Sequence, residues 1–326
     1  MAASLRTDLC DVLGIDVPII QAGMSIYTSP ALVAAVSGAG ALGSLGAWRR
    51  PPDELADGIR QVREWTDRPF AVNHLPPDLD EECFALTLAA APPVISFATG
   101  DPGELVPRAH DAGSLVTNQV TTVEQAEQSA EIGVDVIIAQ GGEAGGYGGE
   151  IATTVLVPLV VRRVHPLPVV AAGGFVDGGG LVAALAFGAC GISVGTRFLA
   201  TSESPIHVEY KDMILSAGAS DAVKAPRFNR ISPNPGSAGY GTVVRVLRTP
   251  FVKQLAAAER DEDLGRLGDD HLTAALDGRA HQLIAGAGQS AGRVERLETA
   301  ADVVRRIAAE AKDILAKLAA LAPTDD

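Results

Sequence analysis

Val134-Asp135-Val136-Ile137-Ile138 runs without a break into Ala139-Gln140-Gly141-Gly142-Glu143-Ala144-Gly145-Gly146-Tyr147-Gly148-Gly149. So apolar a run reads as a buried strand. A following loop with six glycines is backbone suited to close approach to a bound group. Working outward, the same grammar repeats along the first two thirds of the chain. Val17–Ile20, Ala41–Ser44, Phe70–Asn73, Val94–Phe97, Ser114–Thr117, Val134–Ile138, Val169–Ala172 and Gly191–Val194 read as strands. Between them lie helical patterns at Pro30–Ser37, Pro52–Trp65, Glu104–Ala112, Val123–Ile132, Thr154–Val164 and Gly180–Phe187. Eight parallel strands with outer helices predict an α/β fold, the (β/α)8 TIM barrel, with its active site at the carboxyl ends of the strands. A six-stranded doubly wound sheet is the alternative.

The barrel is expected over residues 1–218, and residues 219–326 are expected to form a C-terminal cap and a docking helix. Arg227–Tyr240 reads as loop, and Phe251–Glu259, Leu272–Leu276 and Glu298–Leu321 read as helices. Gly286-Ala-Gly-Gln-Ser-Ala-Gly292 is too glycine-rich for a helix interior, and either links helices or reaches back to a ligand. Pro323–Asp326 is expected to fray.

The 326 residues carry a formal net charge of −14 with no offsetting basic stripe, which argues against nucleic acid as a partner. No basic segment with an apolar core opens the chain, and no long apolar run appears, so neither secretion nor a membrane is expected. Cys10, Cys83 and Cys190 are odd in number and lack C-x-x-C spacing, which fits a reducing cytoplasm; the histidines and carboxylates show no metal-ligand spacing. The sequence allows a homodimer.

The residues at the strand ends carry the chemistry. Gly173-Gly174 and Gly195-Thr196 follow adjacent late strands, where barrels commonly form a phosphate site. Asn73, Gln119 and Gln140 bring three amides to one mouth; amides donate and accept, which suits the polar edge of a flavin. No G-x-G-x-x-G follows the first strand, so a Rossmann nicotinamide domain is disfavoured. His74, beside Asn73, is a candidate imidazole near such a ring, and Glu143 is expected to order the glycine loop.

Pro18-Ile-Ile-Gln-Ala-Gly-Met24, Gly38–Gly46, Ala71-Val-Asn73, Gln140–Gly149, Ala171-Ala-Gly-Gly174, Gly195-Thr-Arg-Phe198 and Gly288-Gln-Ser-Ala-Gly292 occur in order along the chain. Together they resemble the FMN-dependent nitronate monooxygenase family, once called 2-nitropropane dioxygenases, and its relative, the flavin enoyl-acyl-carrier-protein reductase. The resemblance implies FMN on a TIM barrel. Ala22, Gly23 and Met24 would line the isoalloxazine, Asn73, Gln119 and Gln140 would bond its polar edge, and Gly145, Gly146, Gly173, Gly174, Gly195 and Thr196 would hold ring and phosphate. There are departures. Gly23 stands where many relatives have proline, His74 where an apolar residue is commoner, and Tyr147 where the family has its catalytic histidine.

A tyrosine with an ordinary pKa near 10 is a poor base at neutral pH, but it can hydrogen-bond a substrate oxygen or donate a proton. Tyr147 and His74 are therefore the expected catalytic residues. Three readings remain open: oxidation of an alkyl nitronate with O2, reduction of an enoyl or quinone substrate with NAD(P)H, or a flavin-binding protein without turnover.

Overall fold

The computed structural model describes residues 5–233 and 243–321. Its main sheet has eight parallel strands: β1 (Ile19–Gln21), β2 (Gly43–Gly46), β3 (Phe70–His74), β4 (Val94–Phe97), β5 (Leu115–Val120), β6 (Val136–Gln140), β8 (Val169–Ala172) and β9 (Gly191–Val194). They lie in the order β1-β9-β8-β6-β5-β4-β3-β2. The ring closes between β1 and β2, where Gln21 N donates to Leu42 O (2.8 Å) and Leu42 N donates to Ile19 O (3.0 Å). This is the expected (β/α)8 barrel.

Several strands begin and end about two residues later than the apolar pattern suggests. Parallel pairing continues through Gln21, Asn118-Gln119 and Gln140, because their side chains can point alternately into the barrel mouth and into the helix layer while the backbone ladder stays intact. Asn73, Gln119 and Gln140 are thus the last inward positions of strands rather than loop residues. The helix Glu81–Ala90 lacks a distinct polar face in sequence and was not anticipated.

Two apolar layers hold the barrel. Inward residues Ile20, Leu42, Ala71, Val94, Val136, Ile138 and Val170 pack with Leu9, Cys10 and Leu13 of the helix Asp8–Leu13, which plugs the amino-terminal end of the strands. Outward residues such as Ile95, Phe97, Ile137 and Ile192 pack beneath the surrounding helices. Val303, Val304 and Ile307 of the helix Ala300–Ala319 join that outer layer, and this helix lies against Gly178–Ala186 and Pro30–Gly38. Gly178 is where the helices touch, since a Cβ there would meet Ala311 N at 2.3 Å.

A second sheet forms over the mouth. β7 (Gly146–Gly148) lies within the glycine-rich segment and pairs antiparallel with β11 (Val243–Leu247), which pairs with β10 (Ala222–Lys224). The segment read as a loop therefore contains a strand, with Tyr147 opposite Val244. Its partner lies about a hundred residues downstream, beyond the reach of local pattern. Phe228–Ile231 is a helical turn inside the span expected as loop, and the rest of that span from residue 234 lies outside the described residues, as does Pro323–Asp326. Leu272–Leu276 is the end of a longer helix, Asp261–Leu276.

Candidate active site

The strand ends surround a cavity of about 330 Å³, within the range of small-molecule and cofactor sites. Its floor comes from the barrel, and every residue expected to hold the cofactor lines it: Ala22, Gly23, Met24, Asn73, Gln119, Gln140, Gly145, Gly146, Gly173, Gly174, Gly195 and Thr196. Gly23 has a local reason. A Cβ there would lie 2.4 Å from Asn73 Cβ, so the opening turn and the Asn73 side chain can share this corner only without one. Asn73 Nδ2 in turn donates to Ser96 O at 3.2 Å.

Gly173 and Gly174 have φ of 101° and 83°, a left-handed pair that sharply turns the chain after β8. Beyond β9, the Thr196 hydroxyl oxygen accepts from Gly288 N at 3.0 Å, which leaves its O–H free to donate. The Gly286–Gly292 segment thus reaches back to the floor, and Gly286 and Ser290 line the cavity. At Gly195 an added Cβ would meet Met24 Sδ and Ala22 Cβ at ordinary van der Waals distances of 3.5 and 3.8 Å, without a clash. Gln140 Oε1 is buried without a hydrogen-bond partner among the described residues. Such an acceptor is costly unless something donates to it. Glu143 orders the loop, as expected, by accepting from Thr153 N and Thr153 Oγ1 at 3.0 and 2.7 Å.

The roof is assembled from distant parts of the chain: Tyr27, Trp48, Arg49, Tyr147, Phe228, Val244, Val246, His271, Ala275 and Ile284. Tyr147 is half-buried and packs against the apolar cluster around Phe228, Val244 and Val246. Burial holds its hydroxyl above the usual tyrosine range, with Arg49 pulling weakly the other way. His271 packs edge-on against Phe228 at 5.1 Å, and burial, helped by Arg49, pushes its pKa below the ordinary 6.5. Arg49 stacks over Trp48 at 4.3 Å and has no carboxylate within ion-pair distance among the described residues. Of the four left-handed non-glycine residues among the described residues, Ser25, Arg49 and Thr99 line this cavity, and the fourth, Ala91, ends the helix Glu81–Ala90. Backbone strain of this kind costs of the order of 1–3 kcal/mol per residue and concentrates at functional sites.

His74 does not join them. Because side chains alternate along a strand, Asn73 faces the mouth while His74 turns into the helix layer, where its Nε2 is 2.9 Å from Thr87 Oγ1 and its ring meets Phe84 at 5.2 Å. Burial drops its pKa to about 4. The expectation of a catalytic His74 is corrected on that ground: its imidazole is a packed, neutral core group. Arg197 likewise leaves the site, bonding Glu298 at 3.1 Å and Arg296 O at 2.9 Å beneath the terminal helix. His271 and Arg49 were not anticipated. Arg49 stands directly after a strand-end turn and was legible to that extent, whereas nothing near His271 marks it.

Comparison with known proteins agrees with this architecture. The sequence matches the family described as nitronate monooxygenase over residues 6–83 and 78–310. It is 39% identical over 259 residues to the (3aS,4S,5R,7aS)-5-hydroxy-7a-methyl-1-oxo-octahydro-1H-indene-4-carboxyl-CoA dehydrogenase of Mycobacterium tuberculosis, covering 78% of this chain and 70% of that one. Among solved structures, FabK from Thermotoga maritima superposes with a TM-score of 0.85 at 33% identity, over 97% of this chain and 99% of the other. The nitroalkane oxidase of Streptomyces ansochromogenes gives 0.80 at 29% identity, over 95% and 99%. These relatives are named as oxidoreductases of different substrates, while the match to the family runs from the first barrel helix into the terminal one. The chain is an enzyme of the nitronate monooxygenase family.

Proposed function

We propose that this oxidoreductase binds FMN along the cavity floor and acts on the acyl part of a coenzyme A thioester held beneath the roof. In this reading residues 1–218 carry the cofactor and residues 219–326 supply the cap and docking helix. The floor fits FMN on its own terms. The orphaned Gln140 Oε1 suits a ring N–H, with Asn73 and Gln119 beside it. The left-handed Gly173-Gly174 turn, the uncrowded backbone at Gly195 and the Thr196 O–H suit a phosphate, and Gly146, with nothing within 4 Å of where a Cβ would stand, leaves room for the ring over Ala22, Gly23 and Met24. Bound there, FMN supplies a two-electron redox centre.

The observation that carries the substrate reading is the position of Tyr147 in the cavity wall, half-buried against Phe228, Val244 and Val246, where burial raises the pKa of its hydroxyl further above neutrality. A phenol kept protonated donates a hydrogen bond to a carbonyl oxygen and stabilises the enolate that forms when the neighbouring carbon loses a proton; it does not itself remove that proton. His271, held below 6.5, is an unprotonated imidazole at neutral pH and can accept it. Phe228, Val244, Val246 and Ile284 give the acyl group an apolar enclosure. The relative from Mycobacterium tuberculosis, named for a bicyclic carboxyl-CoA, supports the same class.

One observation favours a second reading. Arg49 offers at the mouth a cation without an ion-pair partner among the described residues, which suits an anionic nitronate that needs no base before oxidation with O2. Anaerobic mixing of the purified flavoprotein with cyclohexanecarbonyl-CoA, with NADH or NADPH followed by cyclohexenecarbonyl-CoA, and with propionate 3-nitronate separates the two. Flavin bleaching by the saturated thioester, or NAD(P)H reduction reversed by the unsaturated one, is expected. Bleaching by the nitronate alone contradicts the thioester reading and leaves nitronate oxidation.

A further inference from the structure

Outside the cavity, His207, Glu209 and His281 come together from two separate parts of the chain. His207 and Glu209 lie at the start of the helix Val208–Ser216, and His281 lies on the short helix Ala280–Leu283, 72 residues beyond Glu209. One ring nitrogen from each imidazole and one Glu209 carboxylate oxygen all fall within 4.8 Å of one another. Glu209 Oε2 is 3.3 Å from His281 Nε2 and 3.8 Å from His207 Nδ1.

Those separations have a chemical meaning. Two imidazoles and a carboxylate are the donor set of three-ligand zinc sites, and bonds of about 2.0–2.1 Å in tetrahedral geometry set the ligand atoms about 3.3 Å apart. The His281–Glu209 pair already has that spacing. The remaining gap closes by rotation of the His207 side chain, which is 52% exposed. The two rings stack at 4.7 Å with 25° between their planes, so they present their edges side by side. Gln282 Nε2 donates to Glu209 Oε2 at 2.9 Å, the kind of supporting bond that holds a ligand carboxylate in place. A cation displaces two bonds, the cap from Glu209 N to His207 Nδ1 at 3.2 Å and the hydrogen bond between His281 Nε2 and Glu209 Oε2 at 3.3 Å.

We propose that His207, Glu209 and His281 bind a divalent cation of the zinc class, with solvent at the fourth position, and that the ion clips the roof to the barrel. The residues next to the ligands give the clip its purpose. Tyr210 follows Glu209, lines the cavity and donates to Gly286 O at 2.6 Å; Ala280 precedes His281 and also lines the cavity. A cation joining these two points fixes the segment through which Gly286–Gly292 reaches the floor. The ligand spacing was invisible in sequence because the pair and its third member are so far apart in the chain. The inference does not depend on which substrate the enzyme takes.

The test is zinc titration of the full-length flavoprotein after chelator treatment, followed by calorimetry and thermal melting, with cobalt as a spectroscopic probe. One zinc per chain is expected, with Tm higher by about 3–5 °C at zinc about a hundredfold above Kd. Cobalt should give the intense visible absorption of a four-coordinate site. His281→Ala should lose at least about tenfold in affinity, and so should His207→Gln, an exposed change that leaves the fold intact. Absence of stoichiometric binding, or parent-like binding by both variants, overturns the proposal.

Discussion

The floor and the roof of the cavity were built in different ways. The floor is a set of strand ends, each specified by residues adjacent in sequence: a short apolar run, then glycine or an amide. The roof is stitched from Trp48-Arg49, Tyr147, Phe228, β11 and the helix Asp261–Leu276, joined only by tertiary pairing. A local grammar can serve a cofactor, whose demands are the same in every turnover. In the proposed reading substrate selection falls to the part of the molecule that is assembled over long range, which includes Tyr147.

If the division is real, the floor should govern cofactor content and the roof turnover. The largest effect is expected at Gly195. A Cβ there meets Met24 and Ala22 at ordinary contact distance, and the rest of a leucine would take up cavity volume that Gly195 lines. Gly195→Leu should therefore lose nearly all bound FMN while the circular dichroism spectrum stays that of the parent. Unchanged flavin content would detach the cofactor from this turn.

A smaller loss is expected on the roof. His271→Phe keeps the aromatic packing on Phe228 but removes the imidazole, and kcat/KM should fall about a hundredfold, within the range for loss of a general base, with FMN retained. Because the imidazole is held below 6.5, the acid limb of the parent's pH profile should lie below that value, and it should vanish in the variant.

The smallest effect on turnover is expected at His74, which belongs to neither surface. Its pKa of about 4 lies below the ordinary 6.5, so between those values the unfolded chain takes up a proton that the folded chain refuses. Stability from this residue is flat above pH 6.5 and lost as pH falls towards 4, by about 3 kcal/mol in all. His74→Leu should flatten that stretch of the denaturation profile and leave kcat/KM at pH 7.5 unchanged. A large fall in kcat/KM would return His74 to the site.

How far the sequence was legible follows the same division. Repeated apolar runs ending in glycine made the barrel and its floor readable. Boundary shifts came from Gln119 and Gln140, polar residues that still pair as strand because the barrel interior at its mouth accepts amides. His74 misled because adjacency to Asn73 was taken for proximity to the mouth, whereas one step along a strand reverses the face. Tyr147 was singled out through family resemblance, but its strand, its partner Val244 and the buried setting of its hydroxyl depend on contacts that no window of sequence contains.

The central claim is that the Tyr147 hydroxyl, supplied by the roof, acts on substrate oxygen while the floor holds FMN independently. The direct measurement is the rate of anaerobic flavin reduction by cyclohexanecarbonyl-CoA in the parent and in Tyr147→Phe, at matched FMN content. Removal of one transition-state hydrogen bond should slow the variant about tenfold to a thousandfold, about 1.4–4 kcal/mol, with FMN occupancy unchanged. Equal rates in the two proteins would contradict the account.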